Sequence, residues 1–172
     1  MHIAEVVALA FRYPSLATAA KLSAAVDTLD AGVVARHMRN FVDEVMKLEL
    51  GEWEELHTST LDLSPMFVPY VGHVEWGENY RRGAFMADLN AAMRDADIDL
   101  AGELPDHIEP ILRYLAVVDD PLDDLVDALP GTVATMHETL RKQAPQNPYC
   151  HVLAATVALA ADLRPVTIGG RS

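Results

Sequence analysis

Two carboxylates and an imidazole surround a proline in residues 103–107 and carry the clearest binding chemistry of the chain. Glu103 and Asp106 are acceptors that match the planar five-donor fork of a guanidinium. His107 adds a donor that changes charge near neutral pH, and its acidic neighbours are expected to favour its charged form. Pro105 fixes the turn and opens the apolar run that starts at Ile108. This segment therefore has the composition of a binding site for arginine side chains.

Asp106 also has a purely structural interpretation. A carboxylate at the start of a helix accepts hydrogen bonds from the free N–H groups of the first turn and lies at the positive end of the helix dipole. Glu103 and His107 exceed what capping alone requires. Both roles stay open for Asp106, and recognition of a client arginine is the one we favour.

The acidic residues are unevenly distributed. The net charge is −13, and residues 95–127 contain eleven acids against one base, Arg113, a balance of −10. Nucleic-acid binding depends on clustered Lys and Arg, so this charge argues against a nucleic-acid partner. The acidic window either keeps the protein soluble or attracts a cationic segment.

The residues needed for common catalytic and metal sites are missing from the sequence. Glu54 and His57 form one Glu-x-x-His pair, whereas a di-iron bundle needs two pairs and two further glutamates. No His-Glu-x-x-His motif, Gly-rich phosphate loop or Ser nucleophile elbow is present. Cys150 is alone, which excludes an internal disulfide and a Cys-based zinc site. Hydrolase, kinase and dehydrogenase functions therefore lack a recognisable site, no metal site is predicted, and an enzyme ranks third among the possible functions.

Apolar residues recur at helical spacing along almost the whole chain of 172 residues. This predicts an all-α protein, a single-domain bundle of about eight helices over residues 1–164, with a flexible tail over residues 165–172. No apolar run approaches the ~20 residues of a membrane span, and the start lacks a basic signal region. We therefore expect a cytoplasmic protein that does not insert into a membrane.

Prolines and capping residues set the predicted helix bounds. Pro14 ends the first helix, Ser15 caps the second, and Asp30 is the predicted N-cap of the third. The segment over residues 61–69 is expected to be irregular because it holds two prolines. The predicted helices cover residues 3–11, 16–26, 33–50, 52–58 (a further helix or a continuation), 70–76, 78–96, a stretch starting at Pro105 or about residue 109, 121–129, 131–142 and 148–163.

An ordered set of sequence blocks resembles the NarJ/TorD/DmsD family of chaperones for molybdenum oxidoreductases, in its NarJ-like delta-subunit branch. The blocks are LAFRYP at residues 9–14, LDLSPM at 61–66, YVG at 70–72, GENYRRGAFM at 77–86 and ELPDHI at 103–108. The resemblance extends to about Ala116, and the remaining chain matches only in length and helical character.

The resemblance implies an all-helical cytoplasmic protein with a TorD/NarJ-like fold and without catalysis or a cofactor of its own. Such a protein binds the apo catalytic subunit of a respiratory molybdopterin oxidoreductase, often through a twin-arginine-type N-terminal signal, until the cofactor is inserted. It implies client contacts at the acidic turn, at Glu103, Pro105, Asp106 and His107. An apolar groove for the rest of the signal is expected at Met66, Phe67, Tyr70 and Trp76. Structural support of the site is assigned to Tyr80, Arg81, Arg82 and Gly83.

Three positions depart from the family pattern. His57 and Leu61 stand where aromatic residues are expected, and Glu109 stands where a small or apolar residue is usual. The identity of the client and the oligomeric state, monomer or homodimer, are left open. The alternative is an acidic all-helical adaptor or regulator that binds a folded protein unrelated to molybdenum enzymes.

Overall fold

The structure is a computed structural model that describes residues 1–63 and 65–163. It confirms the prediction of an all-α, single-domain bundle, because these ranges contain nine α-helices and one π-helical turn but no β-strand. The helices are α1 Ile3–Phe11, α2 Leu16–Asp27, α3 Val33–Val45, α4 Leu50–His57, α5 Val71–Trp76, α6 Tyr80–Asp95, α7 Ile108–Val117, α8 Asp123–Gln143 and α9 Tyr149–Ala161, with the π-helix at Thr58–Asp62. The predicted tail over residues 165–172 lies outside the described residues.

The predicted N-cap is right for α2 and wrong for α3. Ser15 Oγ accepts the N–H of Thr18 at 3.0 Å, as expected for a capping serine. Asp30 lies two residues too early, since Gly32 precedes α3 with an extended backbone and no side-chain cap. That helix also ends at Val45 rather than residue 50, because a separate capping box starts α4.

The region around Pro130 is one helix, although the sequence predicted two. α8 runs through this proline, which lacks the N–H for one backbone bond and costs about 3 kcal/mol in a helix interior. The cost is offset by a continuous buried stripe on both sides of it. This stripe comprises Leu125, Leu129, Val133, Met136 and Leu140. Burial over 21 residues thus overrides the local helix-breaking signal.

The core is built around α1, which is buried on nearly every side. From Val6 to Phe11 each side chain is at most 4% exposed, because α1 packs against α2, α7 and α9. The α9 helix packs in turn against α3 and α8, so a single apolar cluster joins the two halves of the chain. Within the described ranges, none of the helices combines the length and the apolar character needed to cross a membrane.

Candidate functional site

The acidic turn is fastened to the segment that follows the π-helix. The N–H of Val71 donates to the carbonyl of Asp106 at 2.8 Å, and the N–H of Ile108 donates to the carbonyl of Pro69 at 2.9 Å. These bonds form an isolated antiparallel bridge between Tyr70 and His107. Two blocks that are far apart in sequence are therefore one rigid unit at the entry of α7.

Asp106 forms an internal ion pair and is not a cap. Its carboxylate is 0% exposed, and it accepts from Arg82 Nε at 3.0 Å and from Arg82 Nη2 at 3.4 Å. The guanidinium carbon also lies 5.9 Å from the centroid of the Tyr70 ring. Both interpretations of Asp106 from the sequence are thereby corrected: α7 is capped by the next residue, and the arginine that this carboxylate binds belongs to the same chain.

Of the four residues predicted to support the site, Arg82 makes the direct contact with the turn. Arg81 instead places its guanidinium 5.7 Å from the centroid of the Trp76 ring, a cation–π contact. Tyr80 is 85% exposed at the start of α6, and Gly83 is also exposed. The support of the turn therefore depends on one arginine of the pair.

Gly72 makes room for this ion pair. A Cβ added at Gly72 would lie 2.8 Å from Asp106 Oδ2, 3.1 Å from Arg82 Cγ and 3.2 Å from Phe85 Cδ1. Any larger residue would collide with a carboxylate that has no space to move, since it is fully buried. The glycine is needed for close approach, and this approach places the ion pair directly against α5.

His107 is the residue that caps α7. Its Nδ1 accepts the N–H of Glu109 at 3.1 Å, and the side chain is 9% exposed. Burial lowers the pKa of His107, and this effect exceeds the opposing attraction of Glu103, Glu109 and Asp106. The expectation of a charged imidazole was wrong, because removal from water disfavours the cation more than the acids favour it.

Glu103 and Tyr70 are joined by a hydrogen bond at the edge of the turn. The Tyr70 hydroxyl donates to Glu103 Oε1 at 2.9 Å, and the same oxygen accepts the N–H of Leu104 at 2.8 Å. Burial, followed by the bond to Glu103, raises the pKa of Tyr70 to about 12. Pro105 is buried, so the turn contributes Glu103 and His107 to the neighbouring concave surface.

An open groove of about 580 Å³ lies beside the turn, between the end of α1, the π-helix and the loop before α7. Apolar, acidic and basic side chains share its surface. Its lining comprises Phe11, Arg12, Tyr13, His57, Leu61, Asp62, Asp99, Leu100, Ala101, Glu103, His107, Glu109 and Arg113. The groove is a concave surface that includes residues of the predicted recognition turn, which makes it the candidate site.

The groove carries charges of both signs. Glu109 accepts from Arg12 Nε at 3.0 Å and from Arg113 Nε and Nη2 at 2.8 and 3.0 Å, so two guanidiniums share one carboxylate. Asp62 and Asp99 are exposed and line the groove together with Glu103. The groove therefore combines the carboxylates of Asp62, Asp99 and Glu103, called the acidic rim below, with a cluster of two arginines and Glu109 that carries one excess positive charge.

His57 forms part of the groove surface and is linked to the core. Its Nδ1 lies 3.2 Å from the Tyr149 hydroxyl, which also accepts the indole N–H of Trp53 at 3.2 Å. The exposed ring of Tyr13 packs edge-on against the imidazole with 5.4 Å between centroids. Burial lowers the pKa of His57, more strongly than Asp62 raises it.

The predicted apolar contacts lie elsewhere. Phe67 is 3% exposed and belongs to the core. Met66 contacts Asn147 through its sulfur, at 3.8 Å, and Trp76 packs against Phe85 with 4.9 Å between ring centroids. The apolar lining of the groove comes instead from Phe11, Tyr13, Leu61 and Leu100. Tyr70 is the member of the predicted set that contacts the acidic turn, through Glu103.

Several groove residues had no distinguishing local signal. Arg12 and Tyr13 belong to a block that the resemblance includes, which is the one sequence feature that pointed to them. Asp62 lies in another such block and Asp99 in the acidic window of residues 95–127, but no local pattern placed them beside Arg113 in one site. In residues 1–63 and 65–163, no three His, Cys, Asp or Glu side chains are arranged to hold a metal ion.

Comparison with known proteins does not assign the chain to a family. No model of a known protein family matches it, and no curated protein is significantly similar in sequence. The groove, the buried ion pair and the acidic turn are consequently the features on which a function can be based.

Proposed function

We propose that this protein is a chaperone of the NarJ/TorD/DmsD type. It binds the apo catalytic subunit of a molybdopterin oxidoreductase, or the twin-arginine-type N-terminal signal of that subunit, and assists cofactor insertion before export or membrane docking. It acts in the cytoplasm and has no catalysis or cofactor of its own. The observation that carries this proposal is the open groove beside the Glu103–His107 turn, in which an acidic rim lies next to apolar side chains.

The rim suits arginines because its carboxylates are not neutralised by the chain itself. Among the described residues, Asp62, Asp99 and Glu103 form no ion pair with lysine or arginine. A guanidinium that approaches the rim can therefore form charge-assisted hydrogen bonds. Tyr13, which is 54% exposed, offers an apolar surface for the residues that follow the arginines in a signal segment.

Asp106 has a different role in this proposal from the one first assigned to it. Its ion pair with Arg82 holds the turn in a fixed position, and Glu103 projects from that turn towards the groove. The client-binding residues are accordingly Glu103, Asp62 and Asp99. Asp106 and Arg82 are positioning residues that act through the turn.

Titration calorimetry with peptides tests the proposal. The N-terminal segments of molybdenum oxidoreductase subunits encoded near this gene, and the apo-subunits themselves, are expected to bind. Replacement of both peptide arginines by glutamine is expected to weaken binding at least tenfold, because two charge-assisted bonds are lost. Failure of every such segment and apo-subunit to bind would overturn the proposal.

The alternative is an adaptor that binds a folded protein through a separate acidic surface. The exposed residues Asp119, Asp120, Asp123 and Asp124 lie outside the groove and favour this candidate. Affinity capture followed by mass spectrometry distinguishes the two functions. Under the adaptor function the captured protein is not a molybdopterin subunit, and neutralising Asp123 and Asp124 reduces capture more than neutralising Asp62 and Asp99.

A further inference from the structure

The hydrogen bonds of His57 determine which of its ring nitrogens carries a proton. An indole N–H can only donate, so the Tyr149 hydroxyl accepts from Trp53. Tyr149 is buried, and His57 Nδ1, 3.2 Å away, is the one acceptor that the described residues offer to its hydroxyl hydrogen, so we assign this hydroxyl as the donor to His57. A neutral imidazole that accepts at Nδ1 carries its proton on Nε2. His57 therefore presents an Nε2–H donor.

His107 has the same tautomer for a different reason. Its Nδ1 accepts the backbone N–H of Glu109 at 3.1 Å, and a backbone N–H can only donate. Burial lowers the pKa of both imidazoles and so favours their neutral forms. Two unrelated partners, a tyrosine hydroxyl and a helix N-terminus, thus leave both protons on Nε2.

Both Nε2–H donors are free to bond within the groove. His57 Nε2 lies 4.0 Å from Asp62 Oδ2, which is too long for a hydrogen bond. His107 Nε2 has no hydrogen-bond partner in residues 1–63 and 65–163. Every fully buried side-chain nitrogen or oxygen in those ranges is satisfied, so this nitrogen is not sealed in the core, and both histidines line the groove.

Arg12 adds donors on the same surface. Its Nε is engaged by Glu109, while its Nη groups make no hydrogen bond within the described part of the chain. The groove therefore offers donors from two largely buried imidazoles and one partly exposed guanidinium, beside the carboxylates of the acidic rim. A ligand that fits both the donors and the carboxylates must offer uncharged or weakly charged acceptors to the donors and positive charge to the acidic rim.

We propose that the groove binds the main-chain carbonyl groups of an extended peptide segment through the Nε2–H groups of His57 and His107, with the Arg12 guanidinium as a third donor. The inference rests on the proposed function, since the segment is that of the client. An extended segment presents carbonyls at regular intervals, and its arginines can meet the acidic rim. A free carboxylate fits less well, because the four carboxylates of the groove lining outnumber its two guanidiniums.

Recognition of this kind tolerates sequence differences in the client. Every peptide has the same carbonyls, and main-chain bonds give affinity while side chains give preference. The arginines then determine where along the segment the groove binds. One groove can accept related signals that differ in their apolar residues.

Nitrogen-15 NMR of histidine-labelled protein tests the tautomers and the open donors directly. Both His57 and His107 are expected to show protonated Nε2 and unprotonated Nδ1 at pH 7.5. Titration with N-acetylglycine N-methylamide, a blocked compound with two amide carbonyls, should shift both Nε2 resonances to saturation. His73 lies on α5 outside the groove and serves as the internal control.

Acetate provides the comparison that separates amide carbonyls from carboxylates. It is expected to act several-fold more weakly than the blocked amide on the same two resonances. An equal or stronger effect of acetate would assign the groove to carboxylate ligands and overturn the proposal. A proton on Nδ1 of either histidine, or no shift with the amide, would overturn it as well.

His107→Asn is the matched variant for client binding. Asparagine preserves an N-cap acceptor for Glu109 but does not supply the Nε2–H donor, so helix capping and recognition are separated. Client-peptide affinity is expected to fall about three- to tenfold, as for one lost hydrogen bond. A client peptide that binds wild type and variant equally, while the blocked amide shifts neither histidine, would leave the proposed function standing and refute this inference. If the amide binds but no molybdoenzyme segment does, the proposed client is wrong and the groove chemistry stands.

Discussion

Arg82 and Asp106 form an ion pair in which the carboxylate is completely buried and the guanidinium is mostly so. Nε lies 3.0 Å from Oδ2, and the side chains are 22% and 0% exposed, respectively. A buried pair contributes little net stability relative to an apolar pair, but the loss of one partner leaves the other charge uncompensated. The pair therefore fixes the position of the turn between α6 and α7 with high specificity.

Asp106→Asn is expected to destabilise the protein by roughly 2–4 kcal/mol, because Arg82 would keep its charge in a poorly solvated position. Urea unfolding monitored by circular dichroism measures this change. Asp119→Asn is the matched control, since Asp119 is exposed, and its effect should stay within about 0.5 kcal/mol. Unchanged stability together with lost client affinity would show that Asp106 contacts the client directly.

Gly72→Ala and Gly83→Ala are expected to have opposite effects. The methyl group at Gly72 meets the buried carboxylate at 2.8 Å, so we expect destabilisation of about 1–3 kcal/mol. Gly83 lies within α6 with no heavy atom within 4 Å of an added Cβ, and alanine should stabilise that helix by about 0.5–1 kcal/mol. Thermal unfolding of the two variants measures whether each substitution raises or lowers the stability of the protein. If Gly72→Ala left the protein as stable as Gly83→Ala does, Asp106 would have room to move away from the added methyl group.

Stability is expected to fall as the pH drops below about 6.5. The pKa values of His57 and His107 are lower in the folded protein than the ordinary value of 6.5, so the unfolded chain binds more protons in this range. The two histidines make their full contribution to the free energy of unfolding above pH 6.5. This contribution is lost as the pH falls towards their pKa values in the folded protein. Unfolding free energies measured between pH 7.5 and 5 test this sign.

His107→Asn supplies the control for that pH dependence. The substitution removes one titrating group and keeps a capping acceptor. The slope of unfolding free energy against pH between 6.5 and 5 should therefore be smaller than in wild type. A slope that is unchanged would assign the acid sensitivity to other groups.

Client binding is expected to weaken with salt, since the Debye length is about 10 Å at 0.1 M and the acidic rim is exposed to solvent. Neutralising Asp62, Asp99 and Glu103 should flatten this dependence. The control variant neutralises three acids outside the groove, Asp119, Asp120 and Asp123, and so changes the net charge by the same amount. It should keep most of the salt dependence of client affinity. Calorimetry from 50 to 500 mM NaCl compares the two variants. Equal flattening in both would mean that overall charge, rather than the rim, attracts the client.

The helical class and several helix ends follow from local sequence. Helical spacing of apolar residues predicted an all-α fold, and Ser15 caps α2 as its side chain allows. The actual start of α3 and the continuity through Pro130 did not follow from local signals. In the latter case, burial of a long apolar stripe against neighbouring helices outweighs a penalty that is local.

The chemistry of the candidate site was determined by tertiary structure. The sequence alone identified Glu103, Asp106 and His107 as one unusual group, because carboxylates and an imidazole at a proline turn are recognisable without a fold. Packing then gave each a separate role: Asp106 was buried against an arginine 24 residues away, and His107 lost the charge that its neighbours favoured. Glu109 meets an arginine 97 residues distant, a contact that no local pattern encodes. Residue types thus determined the available chemistry, whereas burial and long-range pairing decided which groups remained open to a partner.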